Sequence, residues 1–264
     1  MRSIVFPKQY ININAALKSP GDTVETIVFI WENLASIARM TVQHLEIVGT
    51  GVGLAIVTGV PLGIVITLDK RLAKVVLYIS AIIMTIPSVA LFGLMIPILS
   101  VIGQGIGFLP TVIALFLYSQ LPIVRNTYTA ITNIDPSLRE AARGMGMTTG
   151  ERLLKVEIPI ALPIIMAGVR MAVVINVGIA AIAAYIGAGG LGKLISRGIS
   201  QSDPRQLIAG AILVSVLAIA ADAVLSWIQR LLTPKGLRRP SRAAGLVLRF
   251  SSLAGFRKQT GHAQ

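Results

Sequence analysis

The chain contains no cysteine, so disulfides, thiolate-bound metals and a cysteine nucleophile are excluded. Histidine is almost as scarce: only His44 and His262 occur, far apart, and they cannot assemble an imidazole metal centre. Charged residues make up 13% of the sequence, against about 25% in a soluble domain. Aromatic residues contribute only 5%, and none alternate with basic residues as they do in modules that read RNA or DNA. No Gly-x-x-x-x-Gly-Lys-Ser/Thr run is present, so this chain has no phosphate loop of its own. Paired carboxylates beside histidines and serine–histidine arrangements are also missing, which speaks against a membrane-embedded enzyme.

What is abundant is apolar sequence. Of 264 residues, 54% are hydrophobic, and they come in runs too long for a soluble core of this size. A bilayer buries such runs when they reach about 20 residues. Five are expected, at residues 42–68, 75–101, 108–131, 162–186 and 207–232. The first carries Gly49, Gly51, Gly53, Gly59 and Gly63, which would let a neighbouring helix come close. The second holds Pro87 and Pro97, so it should be kinked. Residues 1–22, with Pro7, Pro20 and Gly21, read as an extended lead-in. Met1 to Asn14 has no basic patch running into a short apolar stretch, so no cleavable signal peptide is expected.

Residues 23–40 have helical periodicity interrupted by Glu25, Glu32, Asn33 and Arg39. An amphipathic helix on the membrane surface fits this pattern, with a sixth span as the alternative. The organisation is thus a lead-in and interfacial helix over 1–41, a transmembrane unit over 42–232, and a basic, disordered tail over 233–264 that could also meet anionic headgroups. The net charge of +13 belongs to the flanks of the spans and not to a nucleic-acid surface. Loops 69–74 and 132–161 and the tail hold 14 Lys and Arg, against 7 on the opposite side. Those loops and the C-terminus are therefore expected in the cytoplasm, with the N-terminus outside. His44 and Glu46 would lie solvated near the outer surface.

The loop 132–161 is the most informative stretch. Asp135 can cap a helix that Pro136 opens, and Gly144 and Gly146 would end it. Thr148 or Thr149 can cap a second short helix over 150–156, with Glu151 and Lys155 paired at i, i+4. Pro159 would then turn the chain into the membrane. The result is a compact knob of two short helices.

This loop resembles the signature of the membrane-spanning (permease) subunits of ATP-binding-cassette importers: Glu-Ala-Ala, three residues, Gly, nine residues, Ile, one residue, Leu-Pro. Here Glu140-Ala141-Ala142 precedes Gly146, Val156 and Ile158 stand at the Ile and Leu positions, and Pro159 closes the pattern. The stretches Ile86-Pro87-Ser88, residues 121–126, residues 169–178 and residues 187–192 are similar to the osmoprotectant branch, which imports glycine betaine, choline or carnitine. The resemblance covers residues 40–232 and implies an all-α membrane protein of the type I importer class.

It further implies that Glu140, Ala141, Ala142, Gly146 and Pro159 couple the chain to a separate ATPase. That partner would bind ATP and magnesium, so no cofactor is expected in this chain. Other implied partners are a second copy of the permease or a related one, an extracytoplasmic solute-binding protein and the lipid bilayer of a bacterial inner membrane. Nucleic acid is not among them.

Other polar residues stand inside the spans. Pro87, Ser88 and Asn176 are candidates to line the solute path, with helix–helix hydrogen bonding as the alternative role. Asp222 is an intramembrane charge, functional by default unless it pairs with a neighbouring helix. Arg170 and Arg125 each need a carbonyl, a carboxylate or a headgroup. The Gly187–Gly192 run lacks a strand–turn–helix context and reads as a flexible exit from the fourth span. Competing functional classes are a methionine or other amino-acid importer permease and a secondary transporter or channel, although the matched inverted halves common in carriers are absent.

Overall fold

The computed structural model describes residues 20–233, with side chains from residue 25 onward. The chain ends, including residues 1–19 of the expected lead-in and residues 234–264 of the basic tail, lie outside the described residues. Among the described residues every regular element is helical. In chain order they are α1 (Pro20–Glu32), α2 (Leu34–Val65), α3 (Lys70–Thr85), α4 (Ser88–Ser100), α5 (Phe108–Thr132), α6 (Pro136–Gly144), α7 (Thr149–Arg152), α8 (Ile158–Ile182), α9 (Gly192–Ser200) and α10 (Pro204–Leu232). A π turn, Leu153–Glu157, joins α7 to α8, so that one continuous helix runs from Thr149 to Ile186.

Four helices are long and apolar enough to cross a membrane: Leu34–Leu68, Phe108–Thr132, Thr149–Ile186 and Pro204–Leu232. α3 and α4 reach that standard only as a pair, bent by 98°. A kink was expected there, and a break is found. A proline forces the residue before it out of the helical region. Ile86 accordingly has φ −68°, ψ 126°, and Pro87 itself has ψ 136°. Two consecutive extended residues end α3 and start α4 in a new direction.

The expected interfacial helix over 23–40 also changes. It divides at Asn33, and residues 34–40 form the first turns of the first span, which therefore begins eight residues earlier than hydropathy placed it. The charges that counted against a span fall at its end: Glu25 and Glu32 lie on α1, and Arg39 is exposed. α1 is 13 residues long, too short to cross a bilayer. Its Phe29 and Ile30 pack with Ile37, Leu191, Leu194 and Leu213, tying it to α2, α9 and α10. Pro20 and Gly21 open this helix instead of ending an extended lead-in, since proline is tolerated in a first turn, where its missing N–H is not needed.

α5 is the centre of the bundle. In its most apolar window 67% of residues are buried, against 11% for α10. Two glycines explain how its neighbours come so close. A Cβ on Gly63 of α2 would lie 2.6 Å from Thr127 Cβ, and one on Gly168 of α8 would lie 2.6 Å from the Pro122 carbonyl oxygen. Small residues thus let α2 and α8 both close on α5. The core between them includes Ile47, Val52, Leu115, Ile123, Ala172 and Val177.

Candidate functional site

The loop after α5 is built as its sequence requires at one end and differently at the other. Asp135 Oδ1 accepts from the Ser137 N–H at 2.9 Å, capping α6 with Pro136 in its first turn. That backbone donor holds the Asp135 carboxyl below the ordinary carboxylate range. α6 ends in a Schellman turn: the Met147 N–H donates to Ala142 O at 3.2 Å and the Gly146 N–H to Arg143 O at 2.9 Å. Such a turn needs a left-handed residue, and Gly146 has φ +78°. A Cβ there would touch nothing, so the backbone angle alone explains the glycine.

Thr148 is the next cap. Its hydroxyl accepts from the Glu151 N–H at 3.3 Å, and Glu151 Oε2 accepts from the Thr148 N–H at 3.0 Å. The Thr148 N–H, then Lys155 Nζ at 3.0 Å, keep the Glu151 carboxyl below its usual range. From here the structure departs from expectation. Pro159 does not turn the chain. It stands just after the π turn, inside a helix that runs on from Thr149 into the membrane, so its missing N–H leaves one helical bond unmade without ending the winding. The knob is one short helix, α6, beside the base of a long one.

α6 buries only Ala142, which is 1% exposed. Leu138, Ala141 and Met145, spaced i, i+3 and i+7, form an exposed apolar stripe. Glu140 is exposed beside them and pairs with no described residue. The residues expected to couple thus divide into Ala142 facing in, Glu140 and Ala141 facing out, and Gly146 making the turn.

Three charges that the motif does not specify organise the same region. Glu157 is 4% exposed. It accepts from Arg152 Nε at 2.8 Å and stands 3.4 Å from Arg139 Nε. Arg139 Nη2 also donates to the Ile131 carbonyl, in the last turn of α5, at 2.6 Å. Loop charges are ordinarily solvated, so their number in this loop was a signal without a geometry. Residues five apart lie on different faces of an α-helix, and only the π turn stacks Arg152 over Glu157.

The intramembrane candidates are placed as follows. Pro87 is exposed and Ser88 half-buried at the break between α3 and α4. The break leaves the Ile86 carbonyl without a helical partner, and Tyr118 of α5 donates to it at 2.5 Å. Asn176 is wholly buried, and its Nδ2 donates to Ser119 Oγ at 2.6 Å. Asn176 therefore bridges α8 to α5, the alternative role for a polar residue in a span. Tyr118 and Ser119, adjacent on α5, link both sets of candidates and were not singled out by the sequence.

Asp222 has the partner that an intramembrane carboxylate requires. Arg170 Nε and Nη2 donate to its two oxygens, each at 2.8 Å, and Arg170 Nη1 donates to Gln229 Oε1 at 3.0 Å. Gln229 Nε2 in turn reaches the Pro163 carbonyl at 2.9 Å. This chain of bonds fastens α10 to α8, beside the packing of Val214, Leu217 and Ala218 on the apolar core. Asp222→Asn is expected to lower stability by about 1–2 kcal/mol, read as a fall in the thermal midpoint in detergent. Arg170→Met combined with Asp222→Leu should recover most of that loss, because no unpaired charge remains. Equal midpoints for Asp222→Asn and the parent would remove this link from the account of the fold. Arg125 is exposed on α5.

At the other end of the bundle, His44 is buried and not solvated: Nε2 lies 3.1 Å from the Val177 carbonyl oxygen. Gly187–Gly192 is likewise no flexible exit. Residues 188–192 are buried, and the Gly190 N–H donates to Gln43 Oε1 at 3.0 Å. Among the described residues no group of acidic residues or histidines could hold a metal.

Residues 59–237 match the family described as binding-protein-dependent transport system inner membrane component. The chain is 57% identical to the osmoprotectant import permease protein OsmW of Salmonella typhimurium, over 81% of this chain and 100% of the relative. It is 41% identical to the choline transport system permease protein OpuBB of Bacillus subtilis, over 81% of this chain and 96% of that one. Among solved structures, the inward-facing MetNI methionine ABC transporter aligns with TM-score 0.69 at 24% identity, covering 77% of this chain and 99% of the other. At that identity the likeness concerns the fold.

Proposed function

This chain belongs to the family of binding-protein-dependent transport system inner membrane components, and from that membership we propose that it forms the path for a quaternary-ammonium compatible solute such as glycine betaine, choline or carnitine. It is the permease subunit of an ATP-binding-cassette importer. The solute class follows from the relatives, an osmoprotectant import permease and a choline transport permease. The observation that carries the mechanism is α6, which shows to its surroundings an apolar stripe and a Glu140 that pairs with no described residue.

In this reading a separate ATPase, holding ATP and magnesium, receives Leu138, Ala141 and Met145 in a groove and offers Glu140 a cationic or N–H partner. Closure of two ATPases around ATP draws two such helices together. α8 begins at the base of the same loop, so it moves with them, and its packing on α5 carries the motion into the bundle. The break at Pro87 and Ser88 borders the path, and Asn176 holds α5 and α8 together behind it. A second permease completes the membrane unit, and an extracytoplasmic binding protein selects and delivers the solute. The loop and the C-terminus face the cytoplasm, on the side richer in Lys and Arg.

Uptake decides the solute. The chain, with its cognate ATPase and binding protein, is expressed at high osmolarity in cells that lack osmolyte importers. Saturable accumulation of labelled glycine betaine, choline or carnitine is the expected result. Accumulation of methionine alone would replace the osmoprotectant by an amino acid, the reading that the methionine-transporter fold invites.

A further inference from the structure

Resting on the docking of α6 described above, we propose that Glu157 is the positioning residue that converts movement of α6 into movement of α8 and α5, through Arg139 and Arg152. Nothing in the loop motif requires it, since Glu157 falls at the unspecified position between Val156 and Ile158.

The argument begins with how little holds α6. It buries one small side chain, Ala142, and Leu138, Ala141 and Met145 face away from the bundle. A single methyl group in van der Waals contact transmits a push poorly and a pull hardly at all. Hydrogen bonds and ion pairs resist both, and Arg139 makes them to two other elements. Its Nη2 bonds the Ile131 carbonyl at 2.6 Å, at the end of α5, and its Nε faces Glu157 at 3.4 Å, at the base of α8. Glu157 is fixed in turn by Arg152 Nε at 2.8 Å. One carboxylate, 4% exposed, thus joins the docking helix to the span that follows it.

A buried ion group of this kind is poor evidence for stability, because apolar residues of similar volume serve as well or better. What it supplies is a fixed geometry among three elements. The π turn points the same way. It costs good helical hydrogen bonding, and what it provides here is the stacking of Arg152 on Glu157, five residues on. Leu153, Ile158 and Ile160 pack beside it against Ala130, Ile131 and Ile134, so the carboxylate stands at the edge of a small apolar core that spans α5 and α8. Displacing α6 while this link holds must displace that core.

The test separates transmission from mere folding by counting solute moved per ATP hydrolysed in proteoliposomes that contain the whole complex. Glu157→Gln, Arg139→Gln and the double variant are compared with wild type. The expected result is a full complement of bound ATPase, continued ATP hydrolysis, and at least about a fivefold fall in solute per ATP. The double variant should lose no more than Glu157→Gln, because both substitutions cut one link. An unchanged ratio, or uptake and hydrolysis falling in proportion, would overturn the proposal. Should Glu157→Gln fail to insert, Arg139→Gln carries the test, since the Arg152–Glu157 pair survives in it. If wild type itself binds no ATPase, the docking reading fails and this inference falls with it. If wild type couples normally while Arg139→Gln keeps its ratio, the inference alone is overturned.

Discussion

Glu140→Lys should abolish transport while leaving the chain folded and inserted. Glu140 is exposed on α6 and pairs with no described residue, so its replacement disturbs no contact within the chain. Surface substitutions of this sort usually alter stability by no more than about 0.5 kcal/mol. In the docking proposed above the same side chain would face the ATPase, where reversing its charge would put two cations together or leave an N–H donor facing one. Losing one partner of a desolvated charge pair costs about 2–5 kcal/mol. Each 1.4 kcal/mol is about tenfold in affinity, so the ATPase should no longer co-purify and uptake should fall by about 30-fold or more. Ala141→Asp, which places a charge in the apolar stripe, is a useful companion. Normal uptake by Glu140→Lys, with the ATPase still bound, would show that α6 does not dock in this way.

Gly192→Ala is expected to be the most damaging added methyl among the described glycines. Its Cβ would stand 2.0 Å from the Ala181 carbonyl oxygen and 2.7 Å from the Ala181 Cα and carbonyl carbon. These are backbone atoms of α8 and cannot turn aside as a side chain does. Overpacking a core costs about 1–3 kcal/mol when side chains can adjust. Here α9 itself must move, and the cost belongs at or above the top of that range. The neighbouring turn transmits the disturbance: Gly190, with φ +70°, lies against His44, and its N–H is held by Gln43. Gly178→Ala is the control, since a Cβ there meets nothing within 4 Å. It should be neutral or slightly stabilising, because alanine favours a helix over glycine by about 1 kcal/mol. Thermal unfolding of the two purified variants in detergent checks the contrast, and similar midpoints would sink the close-packed account of the α8–α9 corner.

Helix α6 and its caps show how a short motif can be read without its tertiary setting. Asp135 and Gly146 act through bonds between residues two to five positions apart, and Pro136 through its own fixed backbone, so their roles could be stated from spacing alone. Thr148 and Glu151 belong to the same class. Glu157 does not. Its importance lies in Arg139, 18 positions earlier, and in a π turn that no propensity scale announces. Pro159 was misjudged for a related reason: a proline signals a turn or a helix start with equal force, and only the continuous winding through it shows which.

Polar residues within the spans divide in the same way. That Asp222 needs a partner follows from the cost of a charge in lipid, but that the partner is Arg170, with Gln229 behind it, depends on the packing of α10 against α8. His44 and Gly187–Gly192 looked solvated and mobile because nothing nearby in sequence contacts them. They are buried because the chain returns to them from more than 130 residues away.

By itself, then, the sequence determined the membrane setting, the helical class, the approximate number of spans and the caps and turn of the loop after α5. Each of these rests on the transfer of apolar segments to lipid or on bonds between near neighbours, both of which are local. The tertiary structure decided the 98° break at Pro87, the burial of the glycine-rich corner, the bridge from Asn176 to Ser119 and the charged link at Glu157. All four depend on which helix faces stand opposite one another. In lipid no hydrophobic force fixes that choice, and it is left to close packing and to the pairing of the few polar groups.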